Sequence, residues 1–461
     1  MCDYKNCKFP VIKKKDDDGK KYCIFHSKRV DKDIDEFIQK FKKVYNSEKH
    51  DFEGFVFPRE FDFQDFAKDL KNNNLTFINA IFRYCTFFCD IDFSNSTFKG
   101  DGITSFNRSE FRGKGNVNFS RAEFESLGRT YFSNARFCNK GKVIFNNTEF
   151  RSESGTSFFS TLFSSDVDFL QTYFLKNINF KEARFKGMVR FENNIFNDSV
   201  SFIGNIPIER NDFFNSGASF QNVTFLDNER VIFNNIDFSK TIFTDTDLIG
   251  VRFGNIKWAE SNKKRKVYNE LLLKSKYKNE EGKYEDIANI YKQLRYAYES
   301  TGRYFDAGDF FFGEMEMRRK GKFENIFVRI VLNLYRHLSS YGESPVRAFL
   351  FLVILWLLFG FVYMAIGIEP KISEGNALEY NSIIRNVFSF KSIFTVDFLR
   401  DYFHGLIVSL DVITLGRIKY FFGVMNKPVA YLLKGIQLVF SALFLSLFIL
   451  AMNRKFRRTK D

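Results

Sequence analysis

Three cysteines and one histidine near the start of the chain have the types and spacing of a metal site. Cys2, Cys7, Cys23 and His26 form a C-x4-C pair, a 15-residue gap and a C-x2-H pair. Three thiolates and one imidazole complete the tetrahedral shell that Zn²⁺ prefers. We therefore predict a structural zinc ion in a zinc-knuckle-like head with a helix over residues 1–50. The alternative is a set of unrelated free thiols and a surface histidine.

A second group of candidate residues lies near the C-terminus, in a segment that is too apolar for an ordinary loop. With its polar breaks, Asp401–Phe421 is too short to cross a bilayer as a helix. A re-entrant half-helix followed by an extended strand resolves this conflict, because irregular backbone is tolerated where protein or water lines it. We expect the extended part at Thr414, Leu415 and Gly416, with Asp411 in the preceding half-helix.

The order of span, short helix, T-x-G and span resembles the two-span potassium-channel subunits. In that family four copies surround the ion with carbonyl groups of a TVGYG segment, so the resemblance implies a homotetramer that conducts a monovalent cation. Thr414, Leu415 and Gly416 match the first three positions, while Arg417 and the isoleucine after it replace the aromatic residue and the second glycine. The alternative is therefore a nonselective or degenerate pore. Asp411 either offsets the charge of Arg417, lines the entrance, or is an exposed charge of the pore helix.

Two apolar segments flank this group, and both are long enough to cross a bilayer core of about 30 Å. They are Val346–Ile368 and Leu432–Met452, with one charge each. Lys and Arg cluster before the first segment and after the second, which predicts two spans in the cell inner membrane with both termini in the cytoplasm. The polar start of the chain carries no signal peptide, which agrees with a cytoplasmic N-terminal part.

The middle of the chain carries a phenylalanine repeat. The sequence contains 63 Phe, and pairs five residues apart recur at steps of 13 and then 11 residues. Neither the helical nor the strand period gives this spacing, whereas a square-sectioned coil with about five residues a side returns every Phe to its bore. One coil cannot bury its own rings, so the coils must stack, with rings roughly 4.8 Å apart, the spacing of strands. The pairs that carry this repeat are Phe106/Phe111, Phe119/Phe124, Phe132/Phe137, Phe145/Phe150, Phe158/Phe163, Phe169/Phe174, Phe180/Phe185 and Phe191/Phe196.

Stretches such as VNFSRAEF (Val117–Phe124) and INFKEARF (Ile178–Phe185) resemble the bacterial pentapeptide-repeat family. The resemblance implies a right-handed quadrilateral β-helix, which we place at residues 51–258, with an irregular break at 203–219. This part carries 24 Lys and Arg against 26 Asp and Glu, and so near-neutral a rod argues against mimicry of DNA. We expect an unknown protein or ligand as the partner of the β-helix, and no nucleic acid.

The pattern changes to helical spacing after Trp258, which predicts an α-helical connector over residues 259–345. It contains a helical hairpin with a turn at Ser300–Gly302, followed by an amphipathic helix at Phe323–Leu338 that suits a membrane surface. The predicted fold class is thus multidomain: head, β-helix, connector, and a two-span α-helical membrane domain with a re-entrant pore loop at 346–461.

Two functions follow from this organisation. The first is a membrane ion channel, potassium-channel-like or nonselective, with a cytoplasmic pentapeptide-repeat domain as sensor or docking element. The alternative is a non-conducting, membrane-anchored scaffold or interaction protein. An enzyme is not expected, because the sequence has no phosphate-binding loop, no nucleophile elbow and only four His, spread along the chain.

Overall fold

The computed structural model describes residues 2–5, 7–12, 15–29, 31–68, 70, 74–208, 213–276, 281–321, 325–370, 396–416, 422–424 and 427–456. The chain divides into two compact units, residues 1–317 and 318–461. The first holds the head, a β-solenoid and a helical hairpin, and the second holds the apolar helices. Each unit is described by itself.

The head contains one helix, α1 (Ile34–Tyr45), which begins where the Asp33 side chain accepts a hydrogen bond from the Glu36 amide. A polar side chain at this position satisfies an amide that the helix leaves free. Phe37, Phe41 and Tyr45 form the buried face of α1, so the helix packs on the aromatic core that continues into the solenoid.

The solenoid is built from very short parallel strands that alternate with corners, and one short helix, α2 (Phe63–Lys68), lies beside its first coils. The strands are β1 (Val56–Phe57), β2 (Thr76–Ile78), β3 (Thr86–Phe87), β4 (Ile91–Asp92), β5 (Thr97–Gly100), β6 (Thr104–Ser105), β7 (Glu110–Phe111), β8 (Val117–Asn118), β9 (Glu123–Ser126), β10 (Thr130–Tyr131), β11 (Arg136–Phe137), β12 (Val143–Ile144), β13 (Glu149–Phe150), β14 (Thr156–Ser157), β15 (Leu162–Phe163), β16 (Val167–Leu170), β17 (Tyr173–Phe174), β18 (Ile178–Asn179), β19 (Arg184–Phe185), β20 (Val189–Glu192), β21 (Ile195–Phe196), β22 (Val200–Ile203), β23 (Ala218–Gln221), β24 (Thr224–Phe225), β25 (Val231–Asp237), β26 (Thr241–Thr244) and β27 (Arg252–Lys257).

These strands form four parallel sheets, one on each side of a square rod of about seven coils. The first sheet has the order β1-β3-β7-β11-β15-β19, the second β6-β10-β14-β18-β22-β25-β27, the third β4-β8-β12-β16-β20-β23-β26 and the fourth β2-β5-β9-β13-β17-β21-β24. The predicted four-sided β-helix is therefore confirmed.

Phenylalanine rings fill the bore in columns, as the spacing predicts. Phe106, Phe132 and Phe158 stack with centroids 5.0 and 4.8 Å apart and planes within 3° of parallel. The ring separations agree with the expected strand spacing. The repeat length changes along the rod, because Phe132 and Phe158 are 26 residues apart, whereas the stacked pair Phe233 and Phe253 is 20 apart. Whole coils of different length thus keep the rings aligned.

The corners explain the preference for asparagine at fixed positions. Residues two after the first Phe of a pair adopt the left-handed conformation, with φ of 57° at Asn95 and 56° at Asn134 and Asn147. Asparagine tolerates this conformation better than most residues with a Cβ. Arg108 and Arg121 adopt the same φ of 57°, so the stacked coil imposes the corner even where the residue disfavours it.

A β-hairpin and three helices follow the solenoid within the first unit. They are β28 (Ala259–Ser261), β29 (Lys264–Lys266), α3 (Tyr268–Lys276), α4 (Glu281–Ser300) and α5 (Tyr304–Lys320). The expectation that helix begins directly after Trp258 was wrong, because Asn262 and Lys263 take left-handed φ values of 54° and 60° and close a hairpin. The predicted helical hairpin is present as α4 and α5.

In the part that the structure describes, the second unit consists mainly of four helices. They are α6 (Ile326–Ser339), α7 (Pro345–Ile366), α8 (Val396–Ile413) and α9 (Lys427–Lys455), with an antiparallel pair of short strands, β30 (Ile368–Pro370) and β31 (Phe422–Val424). Two helical stretches, Pro345–Ile366 and Pro428–Arg454, are long and apolar enough to cross a membrane. Only 22% of the apolar window of each is buried, which distinguishes them from core helices of a soluble domain.

Candidate metal centre and membrane site

The four predicted ligands of the head come together. Their ligand atoms all lie within 4.8 Å of one another. Cys7 Sγ is 3.6 Å from Cys23 Sγ, and His26 Nδ1 is 3.0 Å from Cys23 Sγ and 3.9 Å from Cys2 Sγ. Tetrahedral zinc with sulfur ligands at about 2.3 Å and nitrogen at about 2.0 Å places its ligand atoms roughly 3.5–3.8 Å apart. The group is therefore able to hold a metal ion.

The contacts around His26 select the protonation that a metal requires of this ligand. His26 Nε2 lies 3.0 Å from the Glu53 carbonyl, and because that oxygen only accepts, Nε2 carries the hydrogen and Nδ1 is left free as a ligand. Burial lowers the pKa of His26 and keeps its ring neutral. Burial raises the pKa of the Cys23 thiol, and a bound cation would oppose that effect by stabilising the thiolate.

The backbone positions these ligands through a small hairpin and a knuckle. The Ile12 amide donates to the Tyr22 carbonyl at 2.9 Å, and Val11 pairs with Cys23. The His26 and Ser27 amides both donate to the Cys23 carbonyl, at 3.2 and 3.0 Å. This tight turn brings the C-x2-H pair to one side, as the spacing predicts.

The knuckle closes the first edge of the solenoid. The Phe25 ring stacks on Phe55 at 4.3 Å, and the Val56 amide of β1 donates to the Phe25 carbonyl at 2.7 Å. The Lys32 ammonium donates to the Val56 carbonyl at 2.7 Å, and burial lowers the pKa of Lys32 to about 7. The exposed edge of a sheet is a template for pairing with other chains, so these contacts protect it.

Side chains outside the repeat form hydrogen bonds with the free backbone groups of the next two edge strands, β2 and β4. Tyr45 Oη donates to the Thr76 carbonyl at 3.0 Å and accepts from the Thr76 amide at 2.9 Å, so one hydroxyl replaces a neighbouring strand for β2. His50 Nδ1 accepts from the Ile78 amide at 3.0 Å, and Gln64 Nε2 donates to the Asp92 carbonyl at 3.1 Å. Sequence reasoning missed these roles, because isolated polar residues have no period.

The other end of the solenoid is closed in the same way by the helices. The Asn269 side-chain amide donates to the Phe243 carbonyl at 2.7 Å and accepts from the Phe243 amide at 3.1 Å. Gln293 Oε1 accepts from the Leu248 amide at 2.7 Å. The Trp258 indole packs over the last rings and donates to Tyr298 Oη at 3.0 Å. Both ends of the rod are therefore capped within the first unit.

In the second unit, α8 packs closely against α7. A Cβ added to Gly405 would overlap the Gly360 carbonyl oxygen, so these two glycines permit the approach of the two backbones. Trp356 Nε1 donates to the Leu406 carbonyl at 2.9 Å, and Tyr402 Oη donates to the Leu357 carbonyl at 3.1 Å. α8 is thus a fixed part of this unit.

A buried amide links all three long helices. Gln437 of α9 is 0% exposed, and its Nε2 donates to Ser409 Oγ and the Ser409 carbonyl of α8 at 2.7 and 3.0 Å. Tyr363 of α7 donates from Oη to Gln437 Oε1 at 2.7 Å. Polar groups in an apolar surrounding require such partners, so this cluster fixes the register of the three helices.

The segment predicted to be extended has a different conformation. α8 continues as one 18-residue helix to Ile413, about 27 Å long at 1.5 Å per residue, rather than a half-helix that starts at Asp401. The Gly416 amide donates to the Asp411 carbonyl at 2.8 Å, and Leu415 and Gly416 have φ values of 58° and 74°. Such a left-handed pair with a hydrogen bond to the last turn ends a helix. The predicted extended strand is therefore wrong.

Asp411 keeps one carboxylate oxygen buried. Within the part of the chain that the structure describes, its Oδ1 has no hydrogen-bond partner. Thr414 Oγ1 donates to the Leu410 carbonyl at 2.9 Å, so the turn engages its own backbone rather than Asp411. The predicted pore residue Arg417 lies outside the described residues.

Comparison with known proteins found no matching family model, no matching curated protein and no matching solved structure. The function must therefore be argued from the geometry of the two units.

Proposed function

We propose that the chain forms a membrane ion channel of the two-span, potassium-channel-like type, in which four copies surround a path for monovalent cations. The capped solenoid, of the pentapeptide-repeat kind found in bacteria, serves as its cytoplasmic sensor or docking domain. The observation that carries the proposal is the buried Asp411 oxygen without a hydrogen-bond partner among the described residues of the membrane unit.

The physical argument concerns charge in an apolar surrounding. A buried carboxylate without a partner is costly, and ionisable residues inside membrane segments are usually functional. Asp411 lies in the last turn of α8, where the helix dipole adds partial negative charge. A cation at this end of α8 would neutralise the Asp411 carboxylate and the negative end of the helix dipole. Four symmetric copies would place four such sites around one path for cations.

Planar-bilayer recording of the purified full chain tests this proposal. We expect cation currents that Asp411→Asn lowers by about 10- to 20-fold, since one unit charge at about 10 Å and an effective dielectric constant of about 20 contributes about 1.7 kcal/mol. Asp401→Asn is the matched control, because this residue of the same helix is ion-paired with Arg400. Absence of current from intact tetramers, verified by native mass measurement, would reject conduction.

The second candidate is a non-conducting, membrane-anchored scaffold. The turn at Thr414–Gly416 favours it, because Leu415 and Gly416 have left-handed φ values and donate their amides back to α8, whereas a filter is an extended segment that presents its carbonyls to the ion. Under this candidate the two spans only anchor the capped rod. A native mass of one chain, together with a silent bilayer, would support it.

The membrane topology and the metal are part of the same proposal. Basic residues beside α7 and α9 support cytoplasmic termini at the cell inner membrane, and cysteine labelling of intact cells at Cys138, the one exposed cysteine of the six, tests the location of the solenoid. Three thiols and a neutral imidazole support zinc as the metal of the head. We expect about one Zn per chain by elemental analysis of the full protein.

A further inference from the structure

A cleft of about 400 Å³ lies in the first unit between the outer face of the third sheet and helices α3 and α4. Ile242 of β26 and Leu273, Ile287 and Ile290 of the helices form its apolar floor. Sites for small molecules have volumes of about 300–1,000 Å³, with apolar walls and a few polar groups. The cleft has the size and the lining of such a site.

One hydroxyl that lines this cleft has no hydrogen-bond partner among the described residues. Ser219 of β23 is 5% exposed and lines the cleft. Its side chain makes no hydrogen bond to any residue within the described ranges. A hydroxyl that faces a cleft without a partner offers a hydrogen bond that a ligand would take. The Gln221 amide lies two residues further along the same strand and also lines the cleft.

The rim carries negative charge that no cation of the described chain neutralises by direct pairing. Glu192 and Asp286 line the cleft on opposite elements, and neither forms an ion pair with a described residue. Burial and repulsion by Asp245 and Glu285 raise the pKa of Asp286, while Lys283 on the same rim lowers it. The rim therefore favours a cation over an anion.

We propose that this cleft binds a small organic cation with an apolar body, of the alkylammonium or arylammonium class. The apolar part would cover Leu273, Ile287 and Ile290, and the ammonium group would donate to Ser219 Oγ and the Glu192 carboxylate. An ammonium group is a donor only, which suits a site whose carboxylates are acceptors only. Because the cleft joins the solenoid to the connector helices, an occupant would stiffen their junction. The proposal stands whether or not the second unit conducts ions.

Isothermal titration of the full chain in lipid nanodiscs tests it, with empty nanodiscs as the blank. Pentylammonium chloride is the probe, and pentan-1-ol and sodium pentanoate have the same apolar body without the positive charge. We expect saturable binding of one pentylammonium per chain. Its affinity should be at least tenfold higher than that of pentan-1-ol, and pentanoate should bind most weakly of the three.

Two variants locate the binding. Glu192→Gln and the rim variant Asp286→Asn should each weaken pentylammonium at least fivefold, and Glu260→Gln, an exposed acid of β28 outside the cleft, should leave it unchanged. Circular dichroism verifies that each variant is folded, and Asp286 is exposed, so its replacement spares the core. Equal affinity for the three probes, or unchanged affinity in both folded cleft variants, would overturn the proposal.

Discussion

Replacement of Phe158 by alanine tests whether the ring columns hold the solenoid together. Phe158 is 0% exposed, and its neighbour Phe159 is half-buried on the outer surface. The two residues have the same side chain, the same coil and nearly the same backbone position, which makes Phe159→Ala a matched control. Phe158 contacts rings above, below and beside it, namely Phe132 and Phe180 in stacked geometry and Phe145, Phe150 and Phe169 edge to face.

The magnitude follows from these contacts. Deletion of a buried phenylalanine side chain costs about 3–5 kcal/mol in protein cores. Each aromatic pair contributes about 0.5–1.5 kcal/mol beyond the burial of area, and Phe158 loses two stacked partners at 4.8 and 5.1 Å. We therefore expect Phe158→Ala to lower the free energy of unfolding by about 4–5 kcal/mol. Phe158→Leu keeps most of the apolar volume and should cost about 2 kcal/mol, and Phe159→Ala about 1 kcal/mol or less.

Guanidinium unfolding of the full chain in detergent, followed by far-ultraviolet circular dichroism of the β signal, measures these free energies. The order of cost should be Phe158→Ala, then Phe158→Leu, then Phe159→Ala. Equal costs for the two alanine variants would refute the reasoning, because the columns would then contribute no more than the surface. A leucine variant as stable as the unchanged chain would show that volume alone matters and that ring geometry does not.

Four further predictions concern the head, the caps, the junction with the helices and the second unit. Cys23→Ser should abolish stoichiometric zinc by elemental analysis, whereas Cys138→Ser, at an exposed cysteine, should retain it. Tyr45→Phe removes both hydrogen bonds to Thr76 and should cost about 1–3 kcal/mol by chemical unfolding; it should also promote self-association in sedimentation velocity, unlike Tyr173→Phe at an exposed tyrosine. Burial alone would raise the pKa of Asp306, but hydrogen bonds and charges from Arg265 and Arg303 lower it. The stabilisation that the Asp306 carboxylate provides is therefore present above about pH 4 and is lost as the pH falls further. Asp306→Asn should flatten the pH dependence of the unfolding midpoint in this range, and an unchanged profile would contradict this. Gln437→Leu breaks three interhelical hydrogen bonds and should lower the unfolding free energy in detergent by about 2 kcal/mol, while Ser446→Ala on the exposed side of α9 should have no measurable effect.

The solenoid could be predicted from the sequence because the side chains that fill its bore recur at regular intervals. Each Phe of a pair, such as Phe106 and Phe111, repeats one structural position, so spacing alone fixes which side chains point inward. The irregular stretch around Pro207 could not be interpreted in this way, yet Phe214 still enters the bore and contacts Phe185 at 5.7 Å. A sequence period identifies the regular coils but misses a residue, such as Phe214, that enters the bore from an irregular stretch.

The caps could not be predicted, because each depends on a single contact between residues far apart in sequence. Tyr45 meets Thr76 across 31 positions, and Asn269 meets Phe243 across 26. The candidate metal ligands of the head could be found because their types and spacing are restrictive, whereas a single tyrosine or asparagine has no such signature. The start of α8 at Val396 was missed because the apolar segment was taken to begin at Asp401, whereas the helix continues five residues further toward the N-terminus.

Because the two caps bind only the terminal coils, the distance between them is free to change in whole steps. The insertion of one complete coil, of 20 or 26 residues as at Phe233–Phe253 or Phe132–Phe158, would move the ends apart by about 4.8 Å and leave both closing surfaces intact. Coils of 22, 24 and 29 residues also keep their rings stacked, at Phe158–Phe180, Phe145–Phe169 and Phe191–Phe220, so what an insertion must complete is a coil rather than a fixed number of residues. The reach of this protein is therefore quantised, and lengthened or shortened relatives would differ by integral coils.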